Sequence, residues 1–323
     1  MIISRTPYRI SFAGGLSDLE SYYKKKNGHV ISTTIDKYVY ITIAKSLTGK
    51  HRLVYKKTED VDCIDDIKHP LIRECMRMAD IDEYLQIMVL ADVPAGTGLG
   101  SSSAFTVGLL NALYTLKGIN SNKYKLAEDA CSIEIDILGE PIGKQDQYAA
   151  AFGGLNHYVF TNKKIKIHPI LADIDTINNL QSSLMLFFSG IERKASDILT
   201  DQKMNMDKIS PTVENMTWIA QCISTDLHKN YLNSIGYYIN QEWELKKATG
   251  NVSNKHIDGM IDRAMDAGAE GVKVTGAGSG GFLLVYCDES LQDTVRNELS
   301  DLIEFPFEFE EFGSGIIYKV MDK

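Results

Sequence analysis

The sequence predicts an α+β fold in two domains, and three observations carry that expectation. Period-two alternation dominates the first third of the chain, helical spacing dominates from about residue 190, and the last stretch returns to strand, loop and strand. That order is unlike the regular strand–helix winding of a parallel sheet. At 323 residues the chain divides naturally into two domains of about 100–200 residues each. A boundary near 165–185 is expected, giving an N-terminal domain over 1–175 and a C-terminal domain over 176–323.

Each element has a local reason. Residues 33–43 (TTIDKYVYITI) place Ile35, Lys37, Val39, Ile41 and Ile43 on one face of a strand, and shorter strands are expected near 2–13, 52–57 and 84–92. Ile72, Cys75, Met76 and Ala79 fall at helical spacing. A stronger helix runs from 101 to 117 and stops at Gly118, a residue suited to the position just past a helix end; another is expected over about 123–138. LNHYVF and KKIKIHPI alternate as strands. Val213, Met216, Ala220, Ile223 and Leu227 form one helical stripe, and VKVTGAGSGGFLLVYC reads as strand, loop and strand, followed by a helix and the alternating phenylalanines of EFPFEFEEF.

Composition removes several classes. With 44% hydrophobic and 24% charged residues and only 7 Pro, neither disorder nor a coiled coil is a good reading. A net charge of −9 lacks the broad basic footprint of a nucleic-acid binder, although local donors still bind small anions. Five widely spaced cysteines with no CxxC pair read as buried reduced thiols, not as a disulfide framework or zinc cluster. Arg5 and Arg9 interrupt the N-terminus where a signal peptide needs its apolar segment, and no apolar run approaches the ~18 residues of a membrane span. A cytoplasmic location without membrane association is the default expectation, with the oligomeric state, monomer or homodimer, left open.

The most informative segment is ADVPAGTGLGSSSAFTVGLLNALYTLKG. A strand enters a loop holding Gly96, Gly98 and Gly100, with Leu99 between them, and then Ser101, Ser102 and Ser103 open a helix. Glycines admit close backbone approach, serines offer hydroxyls, and the free amides at a helix N-terminus supply positive potential, so the layout is that of an anion cradle. No lysine follows the glycines, which excludes a Walker A loop. A capped turn before a buried helix is the alternative reading.

Two carboxylates come next. Glu134 lies late on a helix and Asp146 follows the turn Gly139-Glu140-Pro141-Ile142-Gly143, which can fold both toward one site. Phosphoryl transfer from ATP needs a ligand for Mg²⁺ and a carboxylate close to the attacking hydroxyl, and this pair could divide those roles. Asp136 and Glu140 read as solvated residues. The loop around Gly276, Gly278, Gly280 and Gly281 matches GxGxxG formally, yet a strand follows it where a dinucleotide fingerprint requires a helix. Near the start, Arg9 precedes Gly14 and Gly15 and then Asp18, a cation and a carboxylate flanking glycines that could serve a phosphate and a polyol. His157 lies in a strand pattern and reads as structural.

Taken together, TPYRISFAGGLSDL, VPAGTGLGSSSAF with Glu134 and GKQDQ, and KVTGAGSGG stand in the order of the three motifs of the GHMP kinases. The chain resembles that superfamily of galactokinase, homoserine kinase and mevalonate kinase over nearly its whole length. SRTPYRISFAGG, STTIDKYVYI, GEPIGKQDQYAAAFGG and GIERKASDIL look most like the bacterial D-glycero-D-manno-heptose 7-phosphate kinases, which are related to fucokinase domains.

The resemblance implies an N-terminal domain like ribosomal protein S5 domain 2, a ferredoxin-like C-terminal domain, and ATP and substrate in the cleft between them. It assigns the stretch from Gly96 through Gly98, Leu99, Gly100 and Ser101 to Ser103 to nucleotide phosphates. Ser102 and Glu134 match the magnesium ligands, Asp146 matches the catalytic aspartate, and Arg9 matches its basic partner. Asp18 matches a sugar-hydroxyl acceptor, with Gly14 and Gly15 beside it, and Gly276, Gly278 and Gly280 match the loop that closes the site. Arg193, in FFSGIERKASDIL, is assigned to the distal phosphate of the acceptor. Where heptose kinases tend to read GGGTDL, this chain has Leu16 and Ser17 in place of the third glycine and the threonine. The implied reaction is phosphorylation of an anomeric hydroxyl toward nucleotide-activated heptose for surface polysaccharide. Rivals are a fucokinase or galactokinase-like acceptor, a mevalonate-type kinase, an ATP-dependent decarboxylase and a non-catalytic binding module.

Overall fold

The computed structural model describes residues 1–191 and 195–320. Strand β1 (Ile2–Ala13) pairs antiparallel with the long β2 (Gly28–Lys45), the short helix α1 (Glu20–Tyr23) lying between them. The expected alternation of β2 holds: Ile35, Val39, Ile41 and Ile43 are buried, while Lys37 reaches out over the Phe305 ring. The β1–β2 register shifts between Pro7 and Tyr8 and again between Ser11 and Ala13, so irregularities bracket Arg9 and re-aim the residues between them.

Next come β3 (His51–Val54), β4 (Thr58–Val61), α2 (Pro70–Met78), β5 (Leu85–Ala91) and α3 (Ser101–Lys117). Helix α3 is buried along most of its length, packs on β1 and β2, and ends at Gly118 in the left-handed conformation, as its sequence predicts. Helix α4 (Lys123–Cys131) runs on into a π turn over Ser132–Ile137, then α5 (Gln145–Phe152), β6 (Asn156–Phe160), β7 (Ile165–Pro169) and α6 (Ile174–Ser182). The helix expected over 123–138 is therefore continuous but widened in its last part, which is where Glu134 sits.

The second half contains β8 (Leu184–Phe188), α7 (Ala195–Met204), α8 (Met206–His228), α9 (Ile235–Lys247), α10 (Lys255–Asp266), β9 (Gly271–Val274), β10 (Phe282–Tyr286) and α11 (Gln292–Glu298). Short strands β11 (Ile303–Glu304), β12 (Phe309–Glu310) and β13 (Gly315–Lys319) close the chain.

Two sheets result. The first runs β13-β1-β2-β5-β3-β4, with β6 and β12 also on β2 and β7 on β6; the second is antiparallel, in the order β11-β8-β10-β9. The second domain expected over 176–323 thus lends β12 and β13 back to the first sheet. One large core cluster joins β1, β2 and α3 and takes in Leu184, Leu186, Phe282 and Leu284 from one face of the second sheet, and another packs Trp243, Val272, Val274, Leu283 and Val285 under α10. The stripe of Val213, Met216, Ala220, Ile223 and Leu227 on α8 is fully buried, packing that helix against β1, β2 and α9.

Two local expectations are corrected. The phenylalanine segment forms only the two-residue strands β11 and β12, because Pro306 removes a ladder donor between them. The cysteines are all free, but Cys63 is exposed and Cys222 only half-buried, so three of the five are core thiols.

Candidate active site

The two sheets meet across a cleft of about 650 Å³. Its N-terminal wall starts at the loop before α3. Helix α3 begins at Ser101, and Gly98, Gly100, Ser101, Ser102 and Ser103 border the cleft together with Gly96, so the free amides of the first helical turn face it. Leu99 does not border it: the side chain is fully buried in the core, and its carbonyl accepts the backbone N–H of Arg9 at 3.1 Å. Between two glycines, an apolar side chain anchors the loop from below.

Arg9 lies almost wholly buried on β1, with its guanidinium fully engaged. Nε and Nη2 donate to the two carboxylate oxygens of Asp146, each at 2.8 Å, and Nη1 donates to the carbonyl of Gly98 at 2.6 Å. This planar fork fixes the carboxylate and the phosphate-loop backbone in one frame. Asp146 sits in the first turn of α5, yet its carboxylate makes no cap; it turns to Arg9 and stays a quarter exposed on the cleft side.

Glu134 is completely buried behind the serines. It accepts the Ser102 hydroxyl at 2.6 Å, the Ser103 hydroxyl at 2.8 Å and the Gln147 amide at 2.6 Å. Burial pushes its carboxyl up to about 7, against these three donors and helped by the negative charge of Asp146. The π turn sets this geometry, because widening the helix rotates Glu134 toward α3. Its neighbour Asp136 is exposed, as expected of a solvated residue, whereas Glu140 is exposed but on the rim of the cleft.

The opening segment contributes Asp18. Its Oδ2 accepts the Gln145 backbone N–H at 3.0 Å, and burial raises its carboxyl to about 6, with Asp146 adding in the same direction. Gly143 makes this approach possible, since a Cβ there would stand 2.0 Å from Asp18 Oδ2. Gly15 borders the cleft; Gly14 does not, as its N–H is committed to Glu242 Oε1 at 3.0 Å. Leu16, standing where a glycine was expected, holds a left-handed backbone (φ 68°) and packs its side chain with Leu19, Tyr22, Met206, Ile209 and Val213.

The C-terminal wall is the loop between β9 and β10, where Gly276, Gly278 and Gly280 all border the cleft. It lies directly on the phosphate loop: a Cβ on Gly276 would come 2.5 Å from Gly98 Cα, and one on Gly98 would come 2.7 Å from the Thr275 carbonyl. Both loops therefore need glycine where they touch. Arg193 lies outside the described residues. His157 is on β6, paired with His29 at 2.9 Å and pushed down to about 4 mainly by burial, away from the cleft.

Sequence reading missed a second charged group. Glu242 and Lys246 on α9 and Lys273 on β9 are all buried; Lys273 donates to the Phe12 carbonyl at 2.8 Å, and Lys246 donates to the Gly276 carbonyl. The signal available was weak: three ionisable residues inside otherwise apolar patterns. Gln202, whose Oε1 is buried with no partner among the described residues, also faces the cleft from α7.

The chain is similar to known proteins over most of its length. The family model for the N-terminal domain of GHMP kinases matches residues 69–154, and that for the C-terminal domain matches 223–304. A D-glycero-alpha-D-manno-heptose 7-phosphate kinase from Campylobacter jejuni is 28% identical, covering 95% of this chain and 96% of its own. A mevalonate kinase from Methanothermobacter thermautotrophicus is 30% identical over 69% of this chain and 71% of its own. The crystal structure of a D-glycero-D-manno-heptose 1-phosphate kinase from Bacteroides thetaiotaomicron superposes over the full length of both chains, with a TM-score of 0.84 and 25% identity. No helix among the described residues is long and apolar enough to cross a membrane.

Proposed function

Because the chain belongs to the GHMP kinases and is a sugar kinase among them, we propose that it transfers the γ-phosphoryl group of ATP to the anomeric hydroxyl of D-glycero-D-manno-heptose 7-phosphate. The observation that carries this reading is the Arg9–Asp146 fork beside the N-terminus of α3, a cation and a carboxylate locked together at the mouth of an anion cradle.

In this reading the cradle of Gly96 to Ser103 receives the nucleotide phosphates. Ser102 and Glu134 fit Mg²⁺: both are hard oxygen donors, and the raised protonation range of the buried Glu134 is a condition that a nearby divalent cation relieves. When bound, the ion neutralises phosphate charge during transfer. Asp146, held by Arg9, orients the anomeric hydroxyl and accepts its proton, and Arg9 stabilises charge on the transferring group. Asp18 accepts a sugar hydroxyl, Gly276, Gly278 and Gly280 cover the phosphates, and Arg193 is assigned to the distal phosphate on sequence grounds.

The test is an ATP-consumption assay with Mg²⁺ over heptose 7-phosphate, heptose 1-phosphate, fucose, galactose, mannose and mevalonate. Heptose 1-phosphate is included because the Bacteroides protein is named for it. Turnover on heptose 7-phosphate, with a new anomeric phosphate in the ³¹P spectrum, is expected. Turnover on heptose 1-phosphate alone would exclude the anomeric hydroxyl as acceptor.

A further inference from the structure

Between the segment Phe12–Gly14 and the loop that joins β9 to β10 lies a charged group that the phosphoryl-transfer chemistry above does not use. Glu242 and Lys246 are one helical turn apart on α9, and Lys273 faces them from β9. Burying three ionisable groups is costly, so their bonds point to what they hold in place. Glu242 takes the N–H of Gly14, Lys273 takes the carbonyl of Phe12, and Lys246 takes the carbonyl of Gly276. The first two contacts tie down the segment leading to Asp18. The third ties down the loop that lies against the phosphate loop, and Lys246 itself borders the cleft.

The peptide that Lys246 grips is free to turn unless something holds it. That peptide joins Gly276 to Ala277; Gly276, at φ 63°, carries no side chain to resist its rotation, and Ala277 carries only a methyl. A trans peptide is planar with its C=O and N–H opposed, so a Gly276 carbonyl drawn to Lys246 turns the Ala277 N–H the opposite way. Ala277 borders the cleft. Resting on the kinase reading above, we propose that Lys246 is a positioning residue for the nucleotide: its ammonium fixes the Gly276–Ala277 peptide so that the Ala277 N–H is presented to the phosphates.

The electrostatics give this anchor a pH range. Lys246 faces Glu242 on its own helix, Lys273 on β9 and Arg9 on β1. Burial, with the charges of Lys273 and Arg9, brings its ammonium down to about 7 against the pull of Glu242. Lys246 is thus charged below that range and loses its proton above it, and an anion bound nearby extends the charged range upward. Arginine at this position stays charged throughout.

The experiment compares wild type, Lys246→Met, Lys246→Gln and Lys246→Arg, each checked for a cooperative thermal transition. The readouts are Kd for a non-hydrolysable ATP analogue with Mg²⁺, and KM for ATP and for the sugar acceptor, from about pH 6 to 9. Removing Lys246 leaves Glu242 under the attraction of the Lys273 ammonium alone, one buried charge of each sign, so Lys246→Met is expected to fold. Expected is a roughly tenfold or larger rise in nucleotide Kd and ATP KM for Lys246→Met and Lys246→Gln, with acceptor KM within about twofold. Lys246→Arg should restore nucleotide affinity and flatten the weakening that wild type shows above about pH 7. A folded Lys246→Met or Lys246→Gln with unchanged nucleotide Kd, or one that raises both KM values equally, overturns the proposal. Absence of turnover in wild type on every acceptor strikes the kinase reading instead, while the nucleotide Kd still tests Lys246.

Discussion

On the N-terminal wall of the cleft four side chains, Arg9, Ser102, Glu134 and Asp146, form two tightly bonded pairs, whereas the C-terminal wall offers mainly glycine backbone held from behind by Lys246. The first wall is rigid because these four side chains already hold their partners. The second is shaped by what it lacks, since any Cβ at Gly276 would strike Gly98. The difference teaches a division of labour: charge and proton handling reside where strands and helices fix side chains, and coverage of the phosphates is left to backbone that must fit closely.

Breaking the first wall should have the largest effect. Arg9→Met removes three donors at once and leaves the Asp146 carboxylate and the Gly98 carbonyl without them, so kcat should fall by about 10²–10³. Steady-state kinetics check this, and a loss confined to ATP KM would place Arg9 in binding instead.

Glu134→Gln should raise the Mg²⁺ concentration needed for half-maximal rate by about 10–100-fold. It also sharpens the electrostatic side of the comparison. The folded chain keeps Glu134 protonated to about pH 7, whereas an unperturbed glutamate ionises near 4.5. The native state therefore binds more protons than the unfolded chain between these values, and stability is lost as pH rises through about 7. Melting of the metal-free protein at about pH 5 and pH 7 should show a larger drop for wild type than for Glu134→Gln; equal drops would mean that Glu134 ionises normally.

Leu16 borders the cleft but belongs to neither bonded group, and should show the smallest effect. A glycine there would remove left-handed strain of about 1–2 kcal/mol. It would also give up burial worth roughly 2–3 kcal/mol and add freedom to the unfolded chain. Leu16→Gly should destabilise the fold by about 1–2 kcal/mol in urea titration. A stabilised variant would show that strain outweighs the packing with Met206, Ile209 and Val213.

Much of the first wall was legible in the sequence. The alternate glycines and three serines of the phosphate loop announce a helix N-terminus through local chemistry alone, and the motif order brings Arg9 to Asp146. Motif membership does not say which residues face inward: the Leu99 side chain turns to the core and the Gly14 N–H to Glu242. The π turn under Glu134 was not readable, since one extra residue in a helical turn leaves the hydrophobic spacing nearly intact. Glu242, Lys246 and Lys273 stayed hidden because they are brought together only by the packing of α9 on β9. The return of β12 and β13 to the first sheet is likewise a long-range pairing that local periodicity cannot express.

The most direct test of the site is Asp146→Asn, which keeps the size of the side chain and one of its two acceptors for Arg9 but cannot take a proton at the acceptor hydroxyl. Binding of a non-hydrolysable ATP analogue with Mg²⁺ should stay within about twofold of wild type while kcat on heptose 7-phosphate falls by about 10²–10⁴. Retained turnover in Asp146→Asn would contradict the account, because proton transfer would then lie elsewhere.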